Sequence, residues 1–420
     1  MNLKQFILFS LLLVQLLFHQ FLIAQNLEFA SPESVGLSTQ GLSTVTQRLQ
    51  RHIDEGDIAG VVAAVARDGK IVYFESLGLM DLEQRIPMRD DAIFRQYSMT
   101  RQITATAILL LVQDGMLAIE DPLQNFLPQF SDQRVFSDAS NPNLNQTRDR
   151  IGNITIGNLL THTSGLGSRS SSIYRQENVR DRNITLEQMV NNAARVPLFA
   201  DPGTEFRYGI SEAILGRVVE VVSGMGLEEF MQFRLFQPLG MTDTVFWADE
   251  TRRDRLATVY RPNNGQLLPH QIERIPFTLR PRLIEGSVGL LSTAMDYLRF
   301  SQMILNAGEL NSRRVMEPET VELMFANAVP QQAMPLRTNG YWQGSGWSLG
   351  SFNVVLDAST YSFPVSNGTI WWDGSAGTRY FIDPSQNLLT VIMAQISPAS
   401  GNGFRENFTT LVDAAITERR

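Results

Sequence analysis

The 420-residue chain contains no cysteine. This absence excludes disulfides, thiolate metal sites, a cysteine nucleophile and a lipidated N-terminal cysteine. Lysine is nearly absent too, because 33 of the 35 basic residues are arginine. The chain also lacks an excess of positive charge, since 43 acidic residues give a net charge of -8 at pH 7. Nucleic acid is therefore not expected as a partner.

Histidine is scarce as well, with four residues in the whole chain. His19, His52, His162 and His270 are scattered along it, and the sequence pairs none of them with a second histidine or a carboxylate at the spacing typical of metal ligands. The sequence therefore predicts no metal site. The side chain of His162 is expected to satisfy its own loop.

A long apolar run stands at the start of the chain. Residues 6–23 are mostly apolar, follow Lys4 and precede the small residue Ala24. This order is typical of a secretory signal peptide over residues 1–25. Polar residues interrupt the run, so it is a poor membrane-spanning helix, and we expect no stable membrane span after its removal. The mature protein is expected to be periplasmic or secreted, with a bacterial periplasm the best fit to the lack of cysteine.

The composition, with 43% hydrophobic and 19% charged residues, is that of an ordinary globular protein. The length of 420 residues allows two or three lobes. Residues 58–79 read as a hairpin that turns at Asp68-Gly69. Residues 98–112 are apolar almost all the way round, which predicts a deeply buried helix. The other predicted elements are helices at 42–53, 156–160, 211–222, 227–235 and 404–418, and strands at 345–356, 369–372, 378–382 and 388–394.

Short connections between the late strands argue for an antiparallel sheet. The simplest arrangement is an α/β fold in which an antiparallel sheet, built from both chain ends and flanked by N- and C-terminal helices, carries an inserted helical domain. We place the α/β sheet domain at residues 26–97 and 281–420. The mostly helical domain then covers residues 98–280.

Ser98 lies where a loop enters the predicted buried helix, and Arg101 follows one turn later on the same face. A helix start offers unpaired N–H donors and favours negative charge, which suits an attacking alkoxide and the oxyanion that follows. A serine at this position also fits a plain helix cap. The surrounding residues favour the catalytic role.

The segment Phe94-Arg95-Gln96-Tyr97-Ser98-Met99-Thr100-Arg101 resembles the first motif, Ser-x-x-Lys, of serine β-lactamases and related esterases. Phe206-Arg207-Tyr208-Gly209-Ile210-Ser211 resembles the second motif, and Trp372-Asp373-Gly374-Ser375 resembles the third, Lys/His/Trp-x-Gly. Residues 155–166 and 238–242 resemble two further segments that are not catalytic there. Their order, from about residue 32 to the final helix, indicates the esterase-like, class C β-lactamase-related branch of the serine β-lactamase and penicillin-binding-protein superfamily.

The resemblance implies roles for individual residues. Ser98 would be the nucleophile, Tyr208 the base that takes its proton, and the N–H groups of Ser98 and Ser375 the oxyanion hole. The third-motif strand that lines the site would carry Trp372, Asp373 and Gly374. The implied activity is hydrolysis or transfer through an acyl-enzyme, on a small-molecule ester or acyl substrate, without a metal or organic cofactor.

Departures from the family pattern bear on activity and substrate. The motif lysine is Arg101, whose guanidinium stays protonated and cannot act as a base. Arg101 could still stabilise a tyrosinate at Tyr208, or the chain could be a catalytically impaired pseudoenzyme that serves as a binding module. Ile210 and Trp372 replace the Asn and Lys that hold β-lactams in relatives, which favours uncharged esters over penicillins.

A second serine motif, Gly346-Trp347-Ser348-Leu349-Gly350, matches the Gly-x-Ser-x-Gly pattern of α/β-hydrolases. That fold needs a helix after the serine, whereas strand-like spacing follows Ser348. It also needs a later histidine, and the last histidine of this chain is His270. We interpret Ser348 as an incidental strand residue.

Overall fold

The computed structural model describes residues 27–338 and 340–420. The signal peptide predicted over residues 1–25 lies outside this range. Among the described helices, none combines the length and the apolar character needed to cross a membrane.

A nine-stranded sheet forms the centre of the described part of the chain. Its strands are β1 (Glu28–Phe29), β2 (Gly60–Arg67), β3 (Lys70–Asp81), β4 (Ile86–Pro87), β5 (Ser345–Trp347), β6 (Asn353–Val355), β7 (Ile370–Asp373), β8 (Thr378–Asp383) and β9 (Leu388–Met393). Their order is β1-β3-β2-β9-β8-β7-β6-β5, with β4 paired to β3. The pairs are antiparallel except β1 with β3, which is parallel. The sheet therefore joins strands from both chain ends, and the predicted α/β fold class is confirmed.

Helices cover the sheet and fill most of the segment between its two halves. They are α1 (Thr39–Asp54), α2 (Thr100–Gln113), α3 (Ile156–Leu160), α4 (Ser172–Gln176), α5 (Leu186–Arg195), α6 (Ser211–Ser223), α7 (Leu227–Met231), α8 (Gln237–Leu239), α9 (Ala294–Leu305), α10 (Pro318–Glu322) and α11 (Phe404–Ala414). A π-helical turn, Gln232–Phe236, joins α7 to α8. The terminal helices α1 and α11 contact each other, and α2 contacts α6.

The side chains of β2 show how the sheet is buried on both faces. Val61 and Val65 belong to the core shared with α1 and α11. Val62 and Ala64 point the other way, into the larger core that contains α2. Because successive side chains of a strand face opposite sides, a strand buried on both faces reads as a continuous apolar run. This explains why the eight residues of β2 are all buried.

The helix that begins after the candidate nucleophile is deeply buried, as predicted. Every residue from Thr100 to Leu111 is buried. The α-helix begins at Thr100, however, and Ser98 lies in a preceding 3-10 turn, Tyr97–Met99. Ser98 therefore stands just ahead of the helix N-terminus rather than within the helix.

The single strand predicted over residues 345–356 is wrong. This segment forms a hairpin in which β5 pairs with β6, and the Ser348 N–H donates to the Phe352 carbonyl oxygen at 3.0 Å in the turn. The turn, residues 348–351, is largely buried, and its Ser-Leu-Gly-Ser sequence was the turn signal that the prediction of a single strand overlooked. Helices α5 and α9 were not predicted, although their capping residues Thr185 and Thr293 each accept a hydrogen bond from a backbone N–H three residues later.

Candidate active site

Ser98 is positioned by a constrained turn at the start of α2. Its neighbour Tyr97 has φ of 44°, in the left-handed region that bulky side chains rarely adopt. Such backbone strain occurs most often at functional sites, where the surrounding structure holds it in place. Ser98 itself is half-buried, between the buried residues Tyr97 and Met99. Its hydroxyl is thus placed at the boundary between the protein core and a solvent-accessible site.

Tyr208 lies beside Ser98, close enough for the serine side chain to lower the pKa of the phenol. The Tyr208 hydroxyl also accepts a hydrogen bond from Trp372 Nε1 at 3.0 Å. Burial raises the pKa of Tyr208, whereas the charge of Arg101 and these two contacts lower it, and the net shift is upward. The structure therefore brings together the first, second and third motifs, and it keeps Tyr208 protonated at neutral pH.

Arg101 is 4% exposed and lies against Tyr208. Its guanidinium carbon is 4.2 Å from the centre of the Tyr208 ring, and Nη1 forms an ion pair with the Glu212 carboxylate. Burial lowers the pKa of Arg101, but the charges of Glu212 and Tyr208 raise it by more. Arg101 is consequently a fixed cation beside the phenol, with no capacity to accept a proton.

Glu212 and His162 also belong to this site, which was not predicted from the sequence. Both are fully buried, and His162 Nε2 lies 2.9 Å from Glu212 Oε1, so the expectation that His162 satisfies its own loop was wrong. Ser351 Oγ donates to the same carboxylate oxygen at 3.2 Å. The available signal was an acidic residue one helical turn after Tyr208, in a helix that is otherwise largely apolar.

Two opposing effects set the charge of Glu212. Burial raises the pKa of its carboxyl, but Arg101 and His162 lower it by more, so the net shift is downward. Burial lowers the pKa of His162, with Glu212 opposing that shift. The buried group is therefore an Arg101 cation and a Glu212 anion, bordered by a largely neutral imidazole.

Gly374 lets the turn after β7 approach the segment that precedes Ser98. A Cβ at this position would lie 2.5 Å from the Gln96 carbonyl oxygen and 2.3 Å from Thr378 Oγ1, so glycine is required by space. The next residue, Ser375, is exposed at the end of this strand. The turn thus sets the Ser375 backbone next to the segment that carries Ser98.

The other residues of the third motif face in different directions. Asp373 does not line the site as expected, because its carboxylate forms ion pairs with Arg379 at 3.2 Å and Arg405 at 3.1 Å. Successive residues of β7 alternate between faces, so the side chain of Trp372 reaches Tyr208 while Trp371 stacks on Phe381 with ring centres 5.1 Å apart.

An aromatic wall borders Tyr208. Trp347 lies 4.6 Å from Trp372 between ring centres, and Trp342 lies 5.2 Å from Trp372. A cavity of about 440 Å³ opens beside Tyr208. Ile210 is 1% exposed and packs in the core, so it supplies neither a polar group nor an exposed apolar surface.

The competing serine motif has no comparable surroundings. Ser348 is fully buried in the turn between β5 and β6, and its Oγ accepts the Phe352 N–H at 3.4 Å. It is therefore not a strand residue. In this hairpin it is Ser351 that contacts the candidate site, through its hydrogen bond to Glu212.

Elsewhere among the described residues, a group of three side chains could hold a metal ion. It consists of His52, Glu55 and Asp57, with ligand atoms within 4.8 Å of one another. His52 Nδ1 lies 2.6 Å from Asp57 Oδ2, and His52 Nε2 lies 3.0 Å from the Asn407 amide. The pairing of Nδ1 with a carboxylate was not expected from the sequence. Together with the contact to Asn407, it leaves neither ring nitrogen of His52 without a partner.

Comparison with protein families decides the affiliation of the chain. The family model described as Beta-lactamase matches residues 45–413. The chain belongs to the β-lactamase family. Its relatives include the esterase EstB of Burkholderia gladioli, 32% identical over 81% of this chain and 86% of that protein. The lovastatin esterase of Penicillium rubens is 30% identical over 84% of this chain and 93% of that protein.

Solved structures agree with this β-lactamase-family assignment. EstCE1, described as a hydrolase with promiscuous acyltransferase activity, superimposes with a TM-score of 0.76 and 27% identity, covering 89% of this chain and 98% of that chain. The relatives are thus esterases and acyltransferases built on the β-lactamase fold. They support an acyl hydrolase or acyltransferase activity for this member of the family.

Proposed function

We propose that this β-lactamase-family protein is a serine hydrolase that forms an acyl-enzyme on Ser98 and acts as a carboxylesterase or a related acyltransferase. The observation that carries the proposal is the placement of the Tyr208 hydroxyl between Ser98 and the Trp372 indole, 3.0 Å from Nε1. A nucleophile within hydrogen-bond reach of a base, which is itself oriented by a third group, is the arrangement that covalent catalysis requires.

In the proposed reaction, Ser98 Oγ attacks the ester carbonyl carbon as its proton passes to a tyrosinate at Tyr208. The N–H groups of Ser98 and Ser375 stabilise the oxyanion of the tetrahedral intermediate. When that intermediate collapses, the alcohol leaves with the proton from Tyr208. Water, or a second alcohol, then attacks the acyl-enzyme by the same steps in reverse and releases the acid or a new ester.

Arg101 takes an electrostatic role in this scheme. Its guanidinium carbon, 4.2 Å from the Tyr208 ring centre, favours the tyrosinate that must form. Glu212 opposes this effect, because its carboxylate pairs with Arg101 and raises the pKa of the phenol. The active tyrosinate form is therefore a minor species at neutral pH, and we expect slow turnover.

A second candidate function is that of a binding module without turnover. The observation that favours it is the ion pair between Arg101 and Glu212, which leaves no proton carrier at the position of the family's lysine. Such a protein would retain the cavity beside Tyr208 but would not form an acyl-enzyme.

Covalent labelling by a fluorophosphonate, followed by intact mass, distinguishes the two functions. We expect the wild-type chain to gain one probe adduct, Ser98→Ala to gain none, and Ser348→Ala to label like wild type. Failure of the folded wild-type protein to label would favour the binding module. Labelling that survives in Ser98→Ala and vanishes in Ser348→Ala would reverse the assignment of the nucleophile.

We also propose that the protein acts after export, in the periplasm or outside the cell. The support is the order of a basic residue, an apolar run and a small residue within the first 25 positions. N-terminal sequencing of the protein from its native host is the test, and a chain that retains Met1 would contradict export by cleavage.

A further inference from the structure

A second cavity lies on the Tyr97 side of the nucleophile. Its volume is about 320 Å³, and its lining includes Arg95, Tyr97, Glu273 and Phe277. Tyr97 directly precedes Ser98 and packs in one cluster with Ala376, which follows Ser375. The cavity therefore borders the segment that carries Ser98, and its wall residue Tyr97 packs with the neighbour of Ser375.

Two buried side chains have polar atoms without a partner: Tyr97, which lines this cavity, and Arg182, which stacks on the lining residue Phe277. Tyr97 is 1% exposed, and its hydroxyl has no hydrogen-bond partner in the described part of the chain. Arg182 is 5% exposed, and its Nε and Nη2 find no partner among the same residues. The Arg182 guanidinium carbon stacks 4.1 Å from the ring centre of Phe277, a residue of the cavity wall. Unpaired groups of this kind destabilise a fold, so a ligand is the expected partner.

The nearby carboxylates are already engaged by other arginines. Glu273 binds Arg180 at 3.2 Å and Arg169 at 3.6 Å. Glu285 forms an ion pair with Arg180 and also accepts a hydrogen bond from Ser287 at 3.1 Å. Both carboxylates are therefore in direct contact with Arg180, and their charges act on Arg182 only from beyond ion-pair distance.

Arg95 and Arg182 have no carboxylate in direct contact, although the charges of Glu273 and Glu285 reach Arg182. Across the described residues, no carboxylate oxygen lies within the 4.0 Å of an ion pair from either guanidinium. Arg95 Nη1 instead donates to the Ala257 carbonyl oxygen at 2.6 Å. Burial, together with repulsion from Arg182, lowers the pKa of Arg95 to about 10. The protein as a whole has a net charge of -8, so an excess of positive charge at this cavity is a local departure from the overall charge.

We propose that this cavity is a carboxylate subsite, in which Arg95 and the Tyr97 hydroxyl bind a carboxylate of the substrate. Arg182 adds its charge from behind Phe277. The inference rests on the proposed ester chemistry at Ser98. It predicts a preference for esters whose acyl group carries a free carboxylate, a refinement of the expectation of uncharged esters that Ile210 and Trp372 suggested.

Paired esters test the subsite by activity. The 4-nitrophenyl monoester of glutaric acid and 4-nitrophenyl pentanoate have acyl chains of equal length, and only the first carries a carboxylate. We expect the wild-type kcat/KM to be about tenfold or more higher for the acidic ester, as for a charged hydrogen bond gained in binding. The preference should shrink by about tenfold in Tyr97→Phe and in Arg182→Met. Arg175→Met, which removes an exposed arginine from α4, should retain the preference.

Calorimetric binding of monomethyl glutarate tests the same subsite without turnover. Binding by wild type that weakens in Tyr97→Phe and Arg182→Met, but not in Arg175→Met, supports the proposal. Arg182→Met should also raise the melting temperature, because it removes a buried unpaired charge, whereas a purely structural arginine would lower it on removal.

The two proposals fail in different ways. If neither ester is hydrolysed, the esterase proposal fails, and calorimetry alone decides on the subsite. If the esters react equally well and monomethyl glutarate does not bind, the subsite is refuted while the esterase stands. A preference for the acidic ester that both variants retain would likewise refute it, because the carboxylate would then bind elsewhere.

Discussion

At position 101 a guanidinium stands where the family's first motif has an amine. The side chain does not point freely at the nucleophile, because it lies flat against Tyr208 and pairs with Glu212. The sequence revealed the substitution, but its partner could not be read from it. Glu212 is adjacent to Arg101 only through the packing of α6 against α2, which a linear pattern does not encode.

Replacing Arg101 by Lys should raise ester turnover by on the order of 10²-fold. The amine restores a group that carries a proton one helical turn from Ser98, and Glu212 remains available to pair with it. Steady-state kinetics beside wild type, with folding checked by circular dichroism, is the measurement. An unchanged or lower rate in a well-folded variant would show that Arg101 is not the only defect.

Glu212→Gln should move the pH dependence of ester turnover toward lower pH. The carboxylate raises the pKa of Tyr208 and offsets the charge of Arg101, so its loss lowers that pKa and makes tyrosinate at a lower pH. In wild type, kcat/KM should still be rising at about pH 9, since the phenol titrates above its usual value of about 10. Rates in Ser98→Ala provide the correction for spontaneous hydrolysis.

The same variant should lose stability, because the buried Arg101 cation is left without its counter-ion. Removing one partner of a buried pair costs about 3–5 kcal/mol. Glu205→Gln is the matched control, since Glu205 pairs with Arg207 at 3.0 Å but is 51% exposed. A pH profile that stays in place while stability falls would assign Glu212 a structural role alone.

Among the elements, those with a strong local pattern could be predicted from the sequence. The buried helix α2, the hairpin of β2 and β3, and strands β7 to β9 lie where apolar periodicity placed them. The β5–β6 hairpin was missed although its turn, residues 348–351, contains two serines and a glycine, because the strand-like spacing of Phe352, Val354 and Leu356 favoured one continuous strand. The environment of Asp373 was missed for a different reason. Its ion pairs depend on the register of β7 with β8, which sets Asp373 opposite Arg379, and on the approach of Arg405 from α11.

The turn between β7 and β8 is packed so closely that adding one methyl group at Gly374 should lower kcat. Gly374→Ala would place a Cβ 2.5 Å from the Gln96 carbonyl oxygen, so the turn must shift and carry Ser375 away from Ser98. Loss of one oxyanion donor lowers kcat by about 10²–10³-fold. Gly226→Ala is the control, because a Cβ there meets nothing within 4 Å. Equal kcat for both variants and wild type would remove Ser375 from the proposed oxyanion hole.

For the molecule as a whole, the β-lactamase fold and the candidate site point to different substrates, and our expectation follows the site. By the family resemblance, Trp372 occupies the position of the cation that holds a β-lactam in relatives. Its indole N–H donates a hydrogen bond to the Tyr208 hydroxyl. We expect short-chain aryl esters to be hydrolysed slowly but measurably, and much faster than any penicillin is opened. Faster turnover of a chromogenic cephalosporin than of an aryl acetate would overturn this expectation.

The pairing of β2 with β9 has a consequence for the time at which the protein becomes folded. Arg67, at the end of β2, donates from Nε to the Gln386 carbonyl oxygen across 319 residues of sequence. At about 5–20 residues per second, a ribosome needs roughly 15 to 65 s to synthesise that interval. During this delay β2 and β3 exist as a hairpin with an unpaired apolar edge, which is the kind of surface that chaperones cover. The central sheet is therefore completed only after synthesis has nearly ended, and a chain halted before β9 has no route to a working Ser98.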